Sequence, residues 1–108
     1  MQLSIIINTI NRPDVLSKCL DSLLTQTDND FEVVVVDQST DNKTQELVAN
    51  YELKYFHSSV RNLSVSRNIG MQESAGNIVV FIDDDAQAEE HWVARIKLAF
   101  RNDPEISC

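Results

Sequence analysis

Three consecutive aspartates, Asp83, Asp84 and Asp85, follow directly on the apolar run Ile78-Val79-Val80-Phe81-Ile82. Side chains alternate along an extended chain, so Asp83 and Asp85 project to one side and Asp84 to the other. Two carboxylates about 4 Å apart repel by roughly 4 kcal/mol at an effective dielectric near 20, and something has to offset that cost. A hard divalent cation does so: Mg2+ or Mn2+ takes oxygen ligands, typically one or two carboxylates together with phosphate oxygens of a substrate. A solvated acidic turn that starts the next helix is the competing reading, and the triplet alone does not separate the two.

Asp37 closes a second apolar run, Val33-Val34-Val35-Val36, and could accept from a base N–H or a ribose hydroxyl. Taken singly, it is better read as the cap of the adjoining turn, a common use of Asp. Thr9 and Asn11 follow the first apolar run and serve either a ligand or the first loop and helix cap. Arg67, Asn68 and Gly70 form a third group. Gly inside a helix costs about 1 kcal/mol relative to Ala, so a backbone or a ligand is expected to pass close to Gly70. Arg67 then pairs with a phosphate or with an acidic side chain. His57 and His91 lack metal-ligand spacing, and no Ser/His/Asp or Cys/His arrangement is present.

The elements that position these residues alternate. Residues 3–7 form a β-rich run without polar alternation after Ser4, as a strand buried on both faces requires. Asn11 is the expected N-cap of the helix that follows, with Pro13 and Asp14 in its first turn. Val15, Leu16, Cys19, Leu20, Leu23 and Leu24 give that helix its buried face. A second strand covers 31–36, and the cluster from Ser39 to Asn42 leads to a helix using Leu47, Val48 and Tyr51. A short strand at 53–56 precedes a helix over 64–75, with Val65, Ile69 and Gln72 along one side and Gly76 as its stop signal. The fourth strand covers 78–82, and a last helix at 89–100 buries Trp92, Val93, Ile96, Ala99 and Phe100 before Pro104. This β/α alternation predicts an α/β fold with a parallel sheet, whose ligands bind at the carboxyl ends of the strands. All the candidate residues except the helix group stand at such ends.

Composition narrows the functions further. With 9 Lys and Arg against 17 Asp and Glu in 108 residues, the net charge is −8, which argues against nucleic acid or anionic lipid as a partner. Only Gly70 and Gly76 occur, so neither a G-x-G-x-x-G turn nor a Walker loop can be written. Cys19 lies in an apolar helical pattern and Cys108 ends the sequence, so they do not read as a disulfide framework but as thiols of a reducing compartment. No apolar run approaches the roughly 18 residues needed to span a bilayer, and the first residues lack the basic-then-apolar arrangement of a signal peptide. A cytoplasmic location is expected, with peripheral membrane association open to the full-length protein.

Together the residues resemble the N-terminal half of an inverting family 2 glycosyltransferase with the Rossmann-like GT-A fold. Four segments carry the resemblance in order: residues 5–13, residues 34–41, Ser66-Arg67-Asn68-Ile69-Gly70 with Ala75-Gly76, and Val80-Phe81-Ile82-Asp83-Asp84-Asp85. Two departures stand out, Asn8 where the family usually has Pro, and Asp37-Gln38-Ser39, one residue shorter than the commoner Asp-Asp-Gly-Ser. The resemblance implies that Thr9, Asn11 and Asp37 hold base and ribose and that Arg67 and Asn68 line the same pocket. It assigns the D-x-D element to Asp83–Asp85, with Asp83 and Asp85 on Mg2+ or Mn2+ and Asp83 and Asp84 towards the nucleotide. A UDP-sugar is the favoured donor and a hydroxyl-bearing glycan or lipid-linked molecule the acceptor. In the family the general base lies in the second half of the domain. Residues 1–108 are therefore expected to be the donor-binding part, truncated at the C-terminus, with no catalytic residue and no activity alone. The fourth strand is expected to be an unpaired edge that could seek another chain. Two rivals remain: a phosphorelay receiver domain, which would need acids where Asn8 and Thr9 stand, and a non-catalytic nucleotide-sugar-binding or interaction module.

Overall fold

The computed structural model describes residues 3–60 and 62–102. Four strands and four helices alternate: β1 (Leu3–Thr9), α1 (Pro13–Leu24), β2 (Phe31–Asp37), α2 (Lys43–Val48), β3 (Lys54–His57), α3 (Leu63–Glu73), β4 (Ile78–Asp83) and α4 (Trp92–Asn102). The strands form one parallel sheet in the order β3-β2-β1-β4, the expected α/β architecture. Its register sets Thr9 beside Asp37, Asp37 beside His57, and Asn8 beside Asp83. The four strand ends therefore meet along one rim. β4 stands at the edge of the sheet, as β3 does on the other side.

Both faces of the sheet are covered, which is why β1 and β2 tolerate unbroken apolar runs. On one face Leu3, Ile5, Ile7 and Val35 pack with Leu16, Cys19 and Leu20 of α1, Val48 of α2 and Val93 of α4. On the other, Ile6, Val34 and Val36 meet Phe56, Val79, Phe81 and Ile69 of α3. Each fully buried Ile or Val contributes roughly 1.5–3 kcal/mol relative to exposure.

α3 departs most from the sequence reading. Its buried residues are Ser66 and Gly70, not the Val65–Ile69–Gln72 stripe: Val65 and Gln72 are exposed and Ile69 is half-buried. The cause is close approach to β1. A Cβ at Gly70 would stand 2.5 Å from Ile6 Cγ2, so the neighbour that demands glycine is a core side chain, neither a backbone nor a ligand. Gly76 likewise is not the helix stop, since α3 ends at Glu73 and Ser74 is already extended. Its N–H donates to Ser4 Oγ at 2.8 Å, and a Cβ there would lie 2.7 Å from Ser4 N, so Gly76 brings the entry to β4 against β1.

Smaller differences have local causes. β3 begins one residue later than expected, at Lys54, and α2 stops at Val48, leaving the Tyr51 hydroxyl to donate to Asp21 at 2.7 Å. Two buried charges were not anticipated. Glu32, inside the apolar β2, accepts from Ser4 Oγ and the Ala75 N–H, both at 2.5 Å, and faces Lys54 Nζ at 2.8 Å. Burial raises its pKa, but Lys54, Ser4 and Ala75 outweigh that and draw it from 4.5 to about 2. On α4, the buried Lys97 ammonium donates to Asp28 at 2.8 Å and to the Asp30 carbonyl at 2.7 Å, tying the last helix to the start of β2.

Candidate functional site

Asp83 ends β4, and Asp84 and Asp85 form a turn closed by the Ala86 N–H to the Asp83 carbonyl at 3.0 Å, so it is this turn and not an extended chain that leaves Asp83 and Asp85 exposed while Asp84 faces inward, 7% exposed. Asp84 is neutralised from within the protein. Its Oδ2 accepts from Thr9 Oγ1 at 2.9 Å and from Arg12 Nε at 3.2 Å, and Arg12 Nη2 donates to its Oδ1. This fork holds the Arg12 guanidinium further into its charged form, with Asp85 and Asp83 adding to the effect. Asp84 and Thr9, both read as facing the nucleotide, thus spend their hydrogen bonds on one another and on Arg12.

Asn11 does not cap α1. Arg12 occupies the cap position without a side-chain cap bond, and Asn11 adopts φ 53°, the left-handed region that Asn tolerates better than most residues. Its Oδ1 accepts from the Thr40 N–H at 3.0 Å and Thr40 Oγ1 at 3.2 Å, and its own N–H donates to Ser39 Oγ at 2.7 Å. The loops after β1 and β2 are clasped by this residue. Asp37 is fully buried beneath them: its Oδ1 accepts from the Ser39 N–H at 2.9 Å and its Oδ2 from the Tyr55 hydroxyl at 2.6 Å. Burial, then Asp37, pushes the Tyr55 hydroxyl pKa up. Asp37 shapes the rim from below. Beside it stand the exposed His57, whose Nε2 lies 3.0 Å from the Ser39 carbonyl, and the half-buried Gln38, which donates to the Val60 and Asn62 carbonyls and holds the approach to α3.

Between the carboxyl ends of β1 and β4 and the start of α3 lies a cavity of about 360 Å³. It brings Asp83, Asp84 and Asp85 together with Arg12, Arg67 and Asn8, against an apolar wall of Leu63, Phe81 and Ile82. Arg67 is exposed, with its guanidinium 5.6 Å above the Phe81 ring. Among the described residues it forms no ion pair, so neither acidic pairing nor burial claims its charge. Asn8 accepts from Ser66 Oγ, a contact that proline at this position could not make. Asn68 is exposed on α3 and is not among the residues lining the cavity. Two residues were missed by sequence reasoning, Arg12 and Tyr55. The signal for Arg12 was present: a lone cation in a strand-end loop of an acidic chain, on the strand that neighbours the aspartates.

No group of three or more His, Cys, Asp or Glu side chains among the described residues is arranged to hold a metal. Asp83 and Asp85 offer two hard, exposed carboxylates. That donor set fits a cation that keeps its other positions for water or phosphate oxygens. Cys19, the buried thiol behind this turn, is pushed up to about 11 by burial and then by Asp84 and Asp85, which keeps it a protonated core residue.

The parallel sheet, its order and the acidic rim at its carboxyl end define a GT-A type α/β domain. Residues 4–108 match the sequence model described as Glycosyl transferase family 2, and the chain belongs to that family. The receiver-domain alternative is thereby set aside. Among relatives, Glycosyltransferase GlyA of Streptococcus pneumoniae is 31% identical over 97 residues, which cover 85% of this chain and 14% of that protein. The crystal structure of S. aureus TarS 1–349 in complex with UDP superposes with a TM-score of 0.80 at 29% identity, over 94% of this chain and 32% of that one. Mannosyltransferase PcManGT from Pyrobaculum calidifontis, in complex with GDP-Man and Mn2+, gives a TM-score of 0.70 at 28% identity, over 91% and 30%. The chain spans no more than a third of the length of any of these three proteins.

Proposed function

We propose that the chain is the donor-binding part of a glycosyltransferase that moves a sugar from a nucleoside diphosphate, UDP by preference, to an acceptor hydroxyl with inversion. The observation that carries this is the cavity joining Asp83 and Asp85 to Arg67 at the carboxyl ends of β1 and β4. Asp83 and Asp85 would hold Mg2+ or Mn2+ from one side and leave its remaining positions to the diphosphate. Bound there, the cation would act as a Lewis acid on the leaving group. Arg67, free of any acidic partner among the described residues, would meet a phosphate oxygen directly. The rim made by Asn11, Ser39, Thr40 and His57 would receive base and ribose, with Asp37 beneath holding Ser39 and Tyr55 in place. In transfer, the bond from the anomeric carbon to the diphosphate breaks as the acceptor oxygen bonds from the opposite face and its proton passes to a general base. We assign that base to a part of the domain outside the residues matched here and name no catalytic residue in this chain.

Support for the donor class comes from the UDP and GDP-Man complexes of the two structural relatives, and Mn2+ accompanies the second. A reducing compartment fits the free, buried Cys19. No helix among the described residues is long and apolar enough to cross a membrane. Self-association is assigned to the edge strand β4, whose run from Ile78 to Ile82 carries no charge to discourage pairing. Calorimetric titration of UDP and GDP with and without Mn2+ tests the reading. Binding of UDP that needs Mn2+ and is lost in Asp83→Ala and Asp85→Ala is expected, and binding indifferent to both metal and substitution would remove the role given to the two aspartates.

A further inference from the structure

The acidic rim already holds one cation, the guanidinium of Arg12. Its contact with Asp84 is fixed on every side. Asp84 is 7% exposed, Thr9 supplies a further hydrogen bond at 2.9 Å, and Arg12 donates through both Nε and Nη2 across 72 residues of sequence. The left-handed turn at Asn11, tied to Ser39 and Thr40, sets the path by which Arg12 reaches the rim. The contact with Asp85 is of another kind. The same Nη2 stands 3.9 Å from Asp85 Oδ2, and that carboxylate is 63% exposed. One partner is locked and the other loose.

We propose that Arg12 is a positioning residue of the rim: it withdraws Asp84 from the metal-ligand set and, as the resident counter-charge of Asp85, sets the affinity of the Asp83–Asp85 pair for a divalent cation. This rests on the metal-binding reading given above. Arg12 stays protonated at any ordinary pH, so its charge is always present at the rim. A cation bound to Asp85 would lie within several Å of the guanidinium and be repelled by it. Binding would then draw Nη2 off Asp85 while the fork to Asp84 holds. Arg67, the other cation of the cavity, does not have this role, because it sits over Phe81 and forms no ion pair with the aspartates.

Titration of the 108-residue chain with Mn2+ alone, followed by the electron paramagnetic resonance signal of the free ion, tests this without any turnover. At low salt Arg12→Met is expected to tighten Mn2+ binding about tenfold, and Arg12→Lys, which keeps the charge, to change it less than about twofold. Arg12→Met leaves Asp84 buried without its partner, so Arg12→Gln, which is neutral but can still donate an amide N–H towards Asp84, provides a second neutral variant, expected to bind equally tightly. Arg67→Met serves as the control for charge elsewhere in the cavity and should have the smaller effect. Mn2+ affinity unchanged or weakened in both neutral variants, with Asp85→Asn still weakening it, would overturn the role of Arg12 and leave the metal reading intact. Mn2+ binding that ignores Asp85→Asn overturns the metal reading, and the role of Arg12 with it.

Discussion

The two ends of the sheet both carry acidic side chains, under opposite conditions. At the amino end Glu32 is buried, and its carboxylate meets Ser4, the Ala75 N–H and Lys54. At the carboxyl end Asp84 is similarly satisfied by Thr9 and Arg12, but Asp83 and Asp85 beside it are exposed, with only the loose approach of Arg12 at 3.9 Å to Asp85. A satisfied buried acid has nothing left to offer a ligand, whereas unsatisfied neighbours at a cavity do. A second cavity, larger at about 620 Å³, sharpens the contrast. It lies at the amino ends of β2 and β3, lined by residues such as Leu20, Leu23, Phe31 and Leu53; of its two acids Glu32 is already paired and Glu52 is a single exposed carboxylate. Two exposed carboxylates placed together beside Arg67, and not cavity volume, single out the carboxyl-end site.

Substitutions should therefore separate the two ends. The largest effect is expected from Glu32→Ala, which takes the charged acceptor from the Ser4 hydroxyl and the Ala75 N–H and should cost about 3 kcal/mol in urea unfolding, with Mn2+ binding unchanged. Gly70→Ala comes next at about 1–3 kcal/mol, because the added methyl enters the space of Ile6, 2.5 Å away. Acid should act through the amino end as well. Since Glu32 is held near 2 against 4.5 unfolded, its contribution is complete above about pH 4.5 and is lost as pH falls towards 2. That loss is of the order of 2 kcal/mol and should be missing from the pH dependence of melting in Glu32→Gln. At the other end, Asp83→Ala combined with Asp85→Ala should move stability by less than about 0.5 kcal/mol while abolishing Mn2+-dependent nucleotide binding. Equal stability losses at the two ends would erase the contrast.

The legible part of this protein was its local pattern. Unbroken apolar runs announced β1, β2 and β4, whereas the separation of Asp83 and Asp85 from Asp84, expected from an extended chain, comes from a turn that begins where β4 ends. The buried face of α3 was misread because a Val–Ile stripe looks like core, whereas the tight approach of Ile6 demands Gly70 and the buried Ser66 donates to Asn8. The cap assigned to Asn11 failed for a similar reason. A side chain that can cap a helix can equally clasp a neighbouring loop, and Thr40 lies 29 residues away in sequence.

Alone, the sequence determined the α/β alternation, the parallel sheet and the family, because these follow from short-range periodicity and from motifs in fixed order. It also determined which residue types stand at the strand ends. Tertiary structure decided which of those residues keep any free bonding capacity. Asp37 and Asp84 lose theirs to Tyr55, Ser39, Thr9 and Arg12, whereas Asp83 and Asp85 keep their exposed carboxylates. Whether a carboxylate is satisfied depends on partners that only the folded sheet brings within about 3 Å, and no spacing along the chain encodes that distance.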